Sequence, residues 1–308
     1  MAVRVAEEWF SICGGCEVTV LDIGEPLLDL LPKLQFVHMP VLMDHKVFGQ
    51  RGEKKKMEIP EADVGIVTGG IRNEENRELA KEMRAKCKTL IALGSCACFG
   101  GIPALANQFG VEDLYEKVYR GSKSTDSAGT PAGEVPPLTD RVYALDEVVK
   151  VDVYLPGCPS SPDIVADALV ALLEGRAFSL PERSVCDDCP TKREQKADIS
   201  LKRPLESVIP MDAELDKSRC FMERGFLCLG PVTKSGCGGH EKVPRCIKGR
   251  MPCRACFGPI RKDANPMVEM MGAITSIGLD PKAIPDRAAT FQRYIGAHGR
   301  LRPLPKRP

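Results

Sequence analysis

The sequence predicts an open, mostly parallel α/β sheet over residues 1–180, followed by an irregular region over residues 181–308 with little regular secondary structure. Two observations support this division. Apolar runs typical of buried strands alternate with helical patterns up to about residue 175, and this alternation indicates parallel βαβ units. Eight cysteines then fall within residues 186–256, where glycine and proline keep the apolar runs short. We therefore expect only a small apolar core in the second region.

The strands and helices of the first region follow from its local patterns. Strand patterns lie at 3–10, 34–39, 64–68, 89–93 and 151–155, and helical patterns at 18–31, 74–86 and 161–174. Proline and glycine stop helices, so Pro32 ends the first helical segment and Gly175 ends the last. The Ser/Thr/Gly/Pro-rich stretch at about 121–140 predicts a loop, and the basic stretch at 44–60 predicts an exposed loop.

The composition excludes several classes of function. A formal net charge of +1 gives no general attraction to nucleic acid, and one Trp with five Tyr do not provide a stacking surface for single strands. The sequence has no run of 18 or more apolar residues, so we expect no membrane span. A secretory signal pattern is also absent, which predicts a cytoplasmic chain whose cysteines are reduced.

The cysteines of the second region predict metal centres. They are Cys186, Cys189, Cys220, Cys228, Cys237, Cys246, Cys253 and Cys256. Two pairs have Cys-x-x-Cys spacing, which lets both thiolates of a short loop reach one centre. Eight thiolates match two [4Fe-4S] clusters with four ligands each, and metal binding would supply folding free energy. If each close pair begins one cluster, the four middle cysteines can be divided in six ways.

The same eight cysteines also fit structural zinc. Two tetracysteine zinc sites would use the same ligands, although the irregular gaps do not resemble compact zinc ribbons. Disulfides would suit a secreted scaffold. Inert buried thiols do not explain eight cysteines in one short stretch.

A third four-cysteine site is predicted from topology. Cys13 and Cys16 follow the first predicted strand, Cys96 the fourth and Cys158 the fifth. The carboxyl ends of parallel strands meet at one edge, where flavodoxin-like sheets bind ligands. Cys98 competes with Cys96 for this site, and we expect Cys96 because it directly follows the strand and a Gly-Ser turn.

Cys87 is not an expected ligand. It continues the four-residue spacing of Leu79 and Met83, which predicts a core thiol on a buried helix face.

These motifs together resemble the small subunit of a [NiFe]-hydrogenase. The resemblance rests on Cys13-x-x-Cys16, Gly94-Ser95-Cys96, Pro156-Gly157-Cys158-Pro159 and the cysteine-rich region, and it covers nearly the whole chain. It is greatest to the gamma subunit of the methyl-viologen-reducing, deazaflavin-non-reducing type, which serves heterodisulfide reductase in methanogenic archaea.

The resemblance implies three [4Fe-4S] clusters in two domains, 1–180 and 181–308. The proximal cluster would bind Cys13, Cys16, Cys96 and Cys158 in a flavodoxin-like domain. The distal cluster would bind Cys186, Cys189, Cys220 and Cys228, and the medial cluster Cys237, Cys246, Cys253 and Cys256.

The chain departs from the periplasmic respiratory members of this family in three places. Cys186 stands where those enzymes have a histidine, and Cys246 stands where many have a proline and hence a medial [3Fe-4S] cluster. Their twin-arginine export signal is missing. Added thiolate charge disfavours an extra electron, so the resemblance implies [4Fe-4S] clusters of lower potential.

The resemblance also implies the partners. A large subunit would hold the nickel–iron centre where H2 is split, and this chain, which has no nickel site, would pass electrons to a small iron–sulfur or flavin subunit that feeds heterodisulfide reductase. We expect no hydrogenase activity from the isolated chain. Glu17, next to Cys16, is a candidate proton relay, the alternative being a solvated or ion-paired carboxylate.

Three other functions compete with this one. A hydrogen-sensing regulatory subunit would have the same clusters and a signalling partner. The cluster-bearing subunit of a quinone oxidoreductase shares the first domain, but such subunits typically have adjacent cysteines in place of Cys13-x-x-Cys16 and lack the eight-cysteine region. A zinc-stabilised interaction protein would contain no iron.

Overall fold

The computed structural model describes residues 2–41, 58–126, 129–197, 200–206, 209–210 and 212–303. The basic stretch containing Arg51 and Lys54–Lys56 lies outside the described residues, as does the end of the chain from residue 304. Within the described ranges, no helix has both the length and the hydropathy needed to span a membrane.

Most of the strands form one parallel sheet. The strands are β1 (Val3–Trp9), β2 (Leu34–His38), β3 (Ala62–Thr68), β4 (Ile71–Asn73), β5 (Cys87–Leu93), β6 (Leu138–Tyr143) and β7 (Val153–Leu155). Five of them pair in the order β2-β1-β3-β5-β7, which is the flavodoxin order once β4 and β6 are left out. The predicted open parallel sheet is therefore confirmed.

The two remaining strands were not predicted. β4 and β6 pair antiparallel beside the main sheet, with Ile71 opposite Tyr143 and Asn73 opposite Leu138. β6 begins inside the stretch that was predicted to be a loop, and Leu138 and Thr139 are its first residues. Its pairing partner lies far earlier in the chain, which local patterns do not reveal.

The helices lie between these strands and in the second region. They are α1 (Gly15–Leu21), α2 (Glu25–Leu30), α3 (Glu74–Lys86), α4 (Gly94–Phe99), α5 (Val111–Tyr115), α6 (Pro162–Leu173), α7 (Val185–Asp188), α8 (Arg245–Lys248), α9 (Pro266–Ile277) and α10 (Arg287–Phe291). The segment predicted at 18–31 is two helices, because Gly24 at φ 72° breaks the helical path. The second region has few regular elements, as predicted.

Apolar cores cover both faces of the parallel sheet. On one face Val5, Val64 and Leu93 pack against α1 and α6. On the other face Ala6 and Val67 pack with residues of α3. Burial on both faces explains why the strands read as continuous apolar runs.

The second region has a core of its own that is larger than expected. Phe221 and Phe226 meet edge-on at 6.2 Å between ring centroids, and Met270 and Ile274 of α9 are fully buried in the same core. The residues of this core lie far apart in the sequence, from Val185 to Phe291. The short apolar runs of the sequence therefore do not reveal its size.

The prediction that Cys87 lies on a helix is wrong, although its thiol is buried as expected. Cys87 begins β5 with extended backbone at φ −107° and ψ 134°, because α3 ends at Lys86. The Arg84 guanidinium stabilises the end of α3 by donating hydrogen bonds to the carbonyls of Cys87 and Lys88, which directly follow the helix.

Substituting Gly65 by Ala tests the packing around this thiol. The new Cβ would lie 2.6 Å from Cys87 Sγ and 2.9 Å from Leu90 Cδ1, so we expect a loss of about 2 kcal/mol of stability by overpacking. Thermal unfolding measures this loss. Because Cys87→Ala removes Sγ, the double variant Gly65→Ala/Cys87→Ala should recover part of the lost stability.

Gly272→Ala is the control. Gly272 lies in α9 with no atom within 4 Å of the position of a Cβ, so this substitution should not destabilise the protein. Equal effects of the two glycine substitutions would contradict this account.

Candidate metal centres

Four cysteines meet at the carboxyl edge of the parallel sheet. Cys13 lies between β1 and α1, and Cys16 lies in the first turn of α1. Cys96 lies in α4 directly after β5, and Cys158 follows β7. Burial, and then the charges of Cys158 and Cys13, raise the pKa of Cys96 to about 12. Burial and the charges of Glu17, Cys96, Cys158 and Cys13 likewise raise the pKa of Cys16. We call Cys13, Cys16, Cys96 and Cys158 the sheet-edge group.

Two glycines leave room for the sulfurs of this group. Gly94 has φ +84°, and a Cβ placed there would collide with Cys16 Sγ. Gly101 has φ +55°, and its Cβ would collide with Cys96 Sγ. Only glycine adopts such backbone angles readily, so these two turns bring thiols and backbone closer than another residue would allow.

Cys98 points away from the sheet-edge group. Its side chain is fully buried in the core on the α3 face, and its Sγ lies 3.3 Å from the carbonyl oxygen of Ala92, to which it donates. The structure thus places Cys96, and not Cys98, beside Cys13 and Cys158.

A second group contains Cys186, Cys189, Cys220 and Cys228, which we call the Cys186 group. Burial, followed by the charges of Cys189 and Cys220, raises the pKa of Cys186 to about 12. Burial and the charges of Cys186 and Cys220 raise the pKa of Cys228. The sulfurs of Cys186 and Cys228 lie 3.2 and 3.6 Å from the position that a Cβ on Gly230 would occupy.

A third group contains Cys237, Cys246, Cys253 and Cys256, which we call the Cys237 group. All four line one cavity of about 260 Å³, together with Cys158 of the sheet-edge group. Burial raises the pKa of Cys256 strongly, and the charges of Cys246, Cys253 and Cys237 raise it further. Of the six divisions of the middle cysteines, this is the one that the structure brings together.

The three groups form a series. Cys158 lines the same cavity as the four cysteines of the Cys237 group, which joins the sheet-edge group to the Cys237 group. The backbone N–H of Cys253 donates to Cys228 Sγ at 3.2 Å, which joins the Cys237 group to the Cys186 group. The Cys237 group therefore lies between the other two.

Ser95 fixes the first of these junctions. Its side chain is 1% exposed, and its Oγ donates to the carbonyl oxygen of Cys256 and accepts from the N–H of Gly157 at 3.3 Å. Its own N–H donates to the carbonyl of Gly157 at 2.8 Å. One buried residue thus ties the end of β5 to the segments that hold Cys158 and Cys256. Sequence patterns give no sign of this role.

The donor chemistry of all three groups suits iron–sulfur clusters. All 14 cysteines are free thiols, and each group offers four sulfurs. In the described part of the chain, no three Cys, His or acidic side chains are close enough to bind a single metal ion. A [4Fe-4S] cluster binds its four cysteines through four different irons, so its ligands lie farther apart than those of one ion.

Glu17 lies beside the sheet-edge group but does not face solvent. Its side chain is 3% exposed, and its Oε1 accepts a hydrogen bond from Thr68 Oγ1 at 2.6 Å. The alternative of a solvated carboxylate is therefore wrong. A second buried carboxyl, Glu7, lies in β1 and was missed, because a single acid in an apolar strand pattern gives no distinct signal.

Ser95→Ala tests the junction between the sheet-edge and Cys237 groups. The carbonyl of Cys256 and the N–H of Gly157 would each lose a buried partner, so we expect a loss of about 1–3 kcal/mol of stability, measured by thermal unfolding. Ser276→Ala removes a hydroxyl that bonds the Ala273 carbonyl on the exposed side of α9, and should change stability little. A Ser95 variant as stable as the Ser276 variant would contradict the role assigned to Ser95.

Comparison with known proteins gives relatives that match nearly the whole chain. Residues 13–172 match the family described as NADH ubiquinone oxidoreductase, 20 Kd subunit. A vhu subunit of the F420-non-reducing hydrogenase of Methanocaldococcus jannaschii is 37% identical over 96% of this chain and 95% of its own length. The iron-sulfur subunit of the F420-non-reducing hydrogenase of Archaeoglobus profundus is 34% identical over 91% of this chain and 89% of its own.

A solved structure supports the same relationship over part of the chain. A chain of an NAD+-reducing [NiFe]-hydrogenase in the H2-reduced state superimposes with a TM-score of 0.53 at 32% sequence identity. The match covers 59% of this chain and 96% of the other. The second region, with its eight cysteines, is matched by the full-length relatives.

Proposed function

The chain belongs to the small subunits of [NiFe]-hydrogenases, within the NADH ubiquinone oxidoreductase 20 Kd subunit family, and we propose that it conducts electrons through three [4Fe-4S] clusters. The electrons would come from H2 oxidation at the nickel–iron centre of a large partner subunit. The single observation that supports this best is the series of three four-cysteine groups.

The proposed ligands are the members of the three groups. The sheet-edge group would hold the proximal cluster, the Cys237 group the medial cluster and the Cys186 group the distal cluster. When bound, such clusters accept and release single electrons. Burial raises the pKa values of thiols such as Cys96 and Cys186 to about 12, so these hold their protons in the free chain, and metal binding must release them.

We also propose the boundary near residue 180 as the division between two domains. The core of the second region draws its buried members from Val185 onward. Phe257, however, packs into the sheet core, so the two domains share a firm contact at the proximal–medial junction.

The partner at the sheet edge would be the large subunit. Cys13 and Cys158 are exposed there. The nearby helices α1 and α2 carry the exposed apolar residues Val18, Leu21 and Leu28, which are 54%, 52% and 66% exposed. Apolar side chains so exposed on neighbouring helices are typical of a surface covered by a permanent partner.

The partner at the other end would be a small iron–sulfur or flavin subunit that feeds heterodisulfide reductase, in the cytoplasm. Cys186 is exposed as a residue although its thiol is largely buried, so the distal group lies close to the surface. The names of the relatives describe hydrogenases that do not reduce F420, which is consistent with another acceptor.

The name of the matched family makes a quinone oxidoreductase subunit the second candidate. Against it, the family match ends at residue 172, whereas the hydrogenase relatives match nearly the whole chain, including the region that holds the Cys237 and Cys186 groups. A hydrogen-sensing subunit would have the same clusters and differ in its signalling partner.

Metal analysis tests the proposal directly. We expect about twelve irons and twelve sulfides per chain in the anaerobically purified protein, four for each of the three groups. Cys246→Pro should remove one iron and give a [3Fe-4S] signal in electron paramagnetic resonance (EPR) spectra, and Cys87→Ala is the matched control that keeps all twelve. Zinc at two per chain, or a Cys246 variant with three intact clusters, would contradict the assignment.

The docking surface gives a separate prediction. Leu28→Asp places a charge on the exposed face of α2, and we expect it to reduce co-purification of the large subunit at least tenfold while leaving iron content unchanged. Leu205→Asp is the matched control, since Leu205 is 92% exposed in the second region. Equal recovery of the large subunit with both variants would show that the α1–α2 face is not the contact.

A further inference from the structure

Glu7 places a carboxyl group inside the apolar core of the sheet. It is 1% exposed in the middle of β1, and neither of its carboxyl oxygens has a hydrogen-bond partner. An ionised carboxylate without partners is strongly disfavoured in such surroundings. The neutral, protonated form is the one that this position accommodates.

The register of the sheet shows which face Glu7 occupies. Glu7 pairs with Ile66 of β3, and Val5 pairs with Val64. Alternate residues of a strand share a face, so Glu7 lies on the face whose apolar core contains Val5, Val64 and Ile66. That face is covered by α1, the helix that bears Glu17.

Glu17 is the charged group that acts on Glu7 from α1. The Oε1 of Glu17 accepts from Thr68, and its Oε2 is buried without a partner. Burial, with the charges of Glu17 and then Glu8 adding to it, raises the pKa of Glu7 to about 8. Glu8 points to the opposite face of the sheet, where it pairs with His38 at 2.8 Å.

The neighbouring elements that the structure describes on this face contribute apolar side chains to the core around Glu7. β2 contributes Phe36, β3 contributes Ile66, and α6 contributes Val165 and Leu169, all of them apolar. Burial aside, Glu17 and Glu8 are thus the charged groups that raise the pKa of Glu7, and Cys16 of the sheet-edge group belongs to the apolar core on the same face.

We propose that Glu7 is a proton-storing residue, which takes up one proton when an electron arrives at the sheet-edge group and releases it when the electron leaves. The proposal rests on the proposed function of that group. The electron comes from H2 oxidation in the partner subunit and the proton from the medium, so one negative and one positive charge enter and leave together.

The physical basis is charge compensation across α1. An added electron at the sheet-edge group increases the negative charge on that side of α1, and the protonated form of Glu7 becomes more favourable. Because reduction of the sheet-edge group favours protonation of Glu7, a lower pH should in turn favour that reduction. Because the pKa of Glu7 is raised to about 8, the coupling should be greatest around and above that pH.

The test is a redox titration of the purified complex, followed by EPR at several pH values between 6 and 10. In the wild type the reduction potential of the sheet-edge cluster should fall as pH rises, by up to about 59 mV per pH unit. This value corresponds to a tenfold change in the equilibrium constant of a one-electron step. Glu7→Gln should flatten this slope. Glu75→Gln, an exposed carboxyl on α3, is the matched control and should keep the wild-type slope.

Infrared difference spectra give a readout that does not depend on activity. Reduction above pH 8 should increase absorption from a protonated carboxyl, and the band should shift in D2O and with ¹³C-labelled glutamate and be missing in Glu7→Gln. Should that variant fail to fold, Glu7→Asp and the labelled wild type still decide the assignment. A Glu7→Gln variant with the wild-type slope, or a labelled wild type without this band, would overturn the proposal.

The same samples separate this proposal from the proposed function. Protein without iron would overturn the cluster assignment and the coupling together. Protein with the full iron content and a potential that does not depend on pH would overturn the Glu7 proposal alone.

Discussion

The arrangement of the cysteines depends on the hydrogen bonds between the end of β5 and the turn after β7. Ser95 and Gly157 are joined through backbone and hydroxyl groups, and the same hydroxyl reaches the carbonyl of Cys256. These hydrogen bonds are buried, so breaking one of them would leave a polar group without a partner and would cost free energy. They hold a strand-edge loop of the first region against a loop of the second, which places two cysteine groups side by side.

The second constraint is the cost of charge in the interior. Most of the thiols are buried, and each group brings four of them together, so the pKa values of Cys96 and Cys186 rise to about 12. Without metal, Cys96 and Cys186 are therefore neutral thiols. Binding of iron would replace protons by cations, which relieves the repulsion that four thiolates would otherwise feel. The same cost applies to the buried carboxyls on the α1 face of the sheet, since both oxygens of Glu7 and Oε2 of Glu17 have no hydrogen-bond partner.

The sheet provides the rigid base on which both constraints act. Its five parallel strands are buried on both faces, and four cysteines are placed at its carboxyl edge by turns that contain glycine. The second region is built differently, from short helices and turns around a core that includes Phe221 and Phe226. Cys228 and Cys253 belong to this core, so core packing and the cysteine groups stabilise the same fold.

The sequence by itself determined the parallel sheet, the helical segments that contain α1 and α2, α3 and α6, and the sheet-edge cysteines, because strand and helix periodicities are local and parallel strands end at one edge. It also indicated that the second region would be irregular. Only the tertiary structure decided which of the middle cysteines meet, since six divisions fit the spacing equally well and the choice depends on packing between distant residues. The same holds for the pairing of β4 with β6, for the place of Cys87 in β5, for the junction at Ser95 and for the burial of Glu7. Each of these depends on contacts between segments far apart in the chain, and a local pattern contains no record of them.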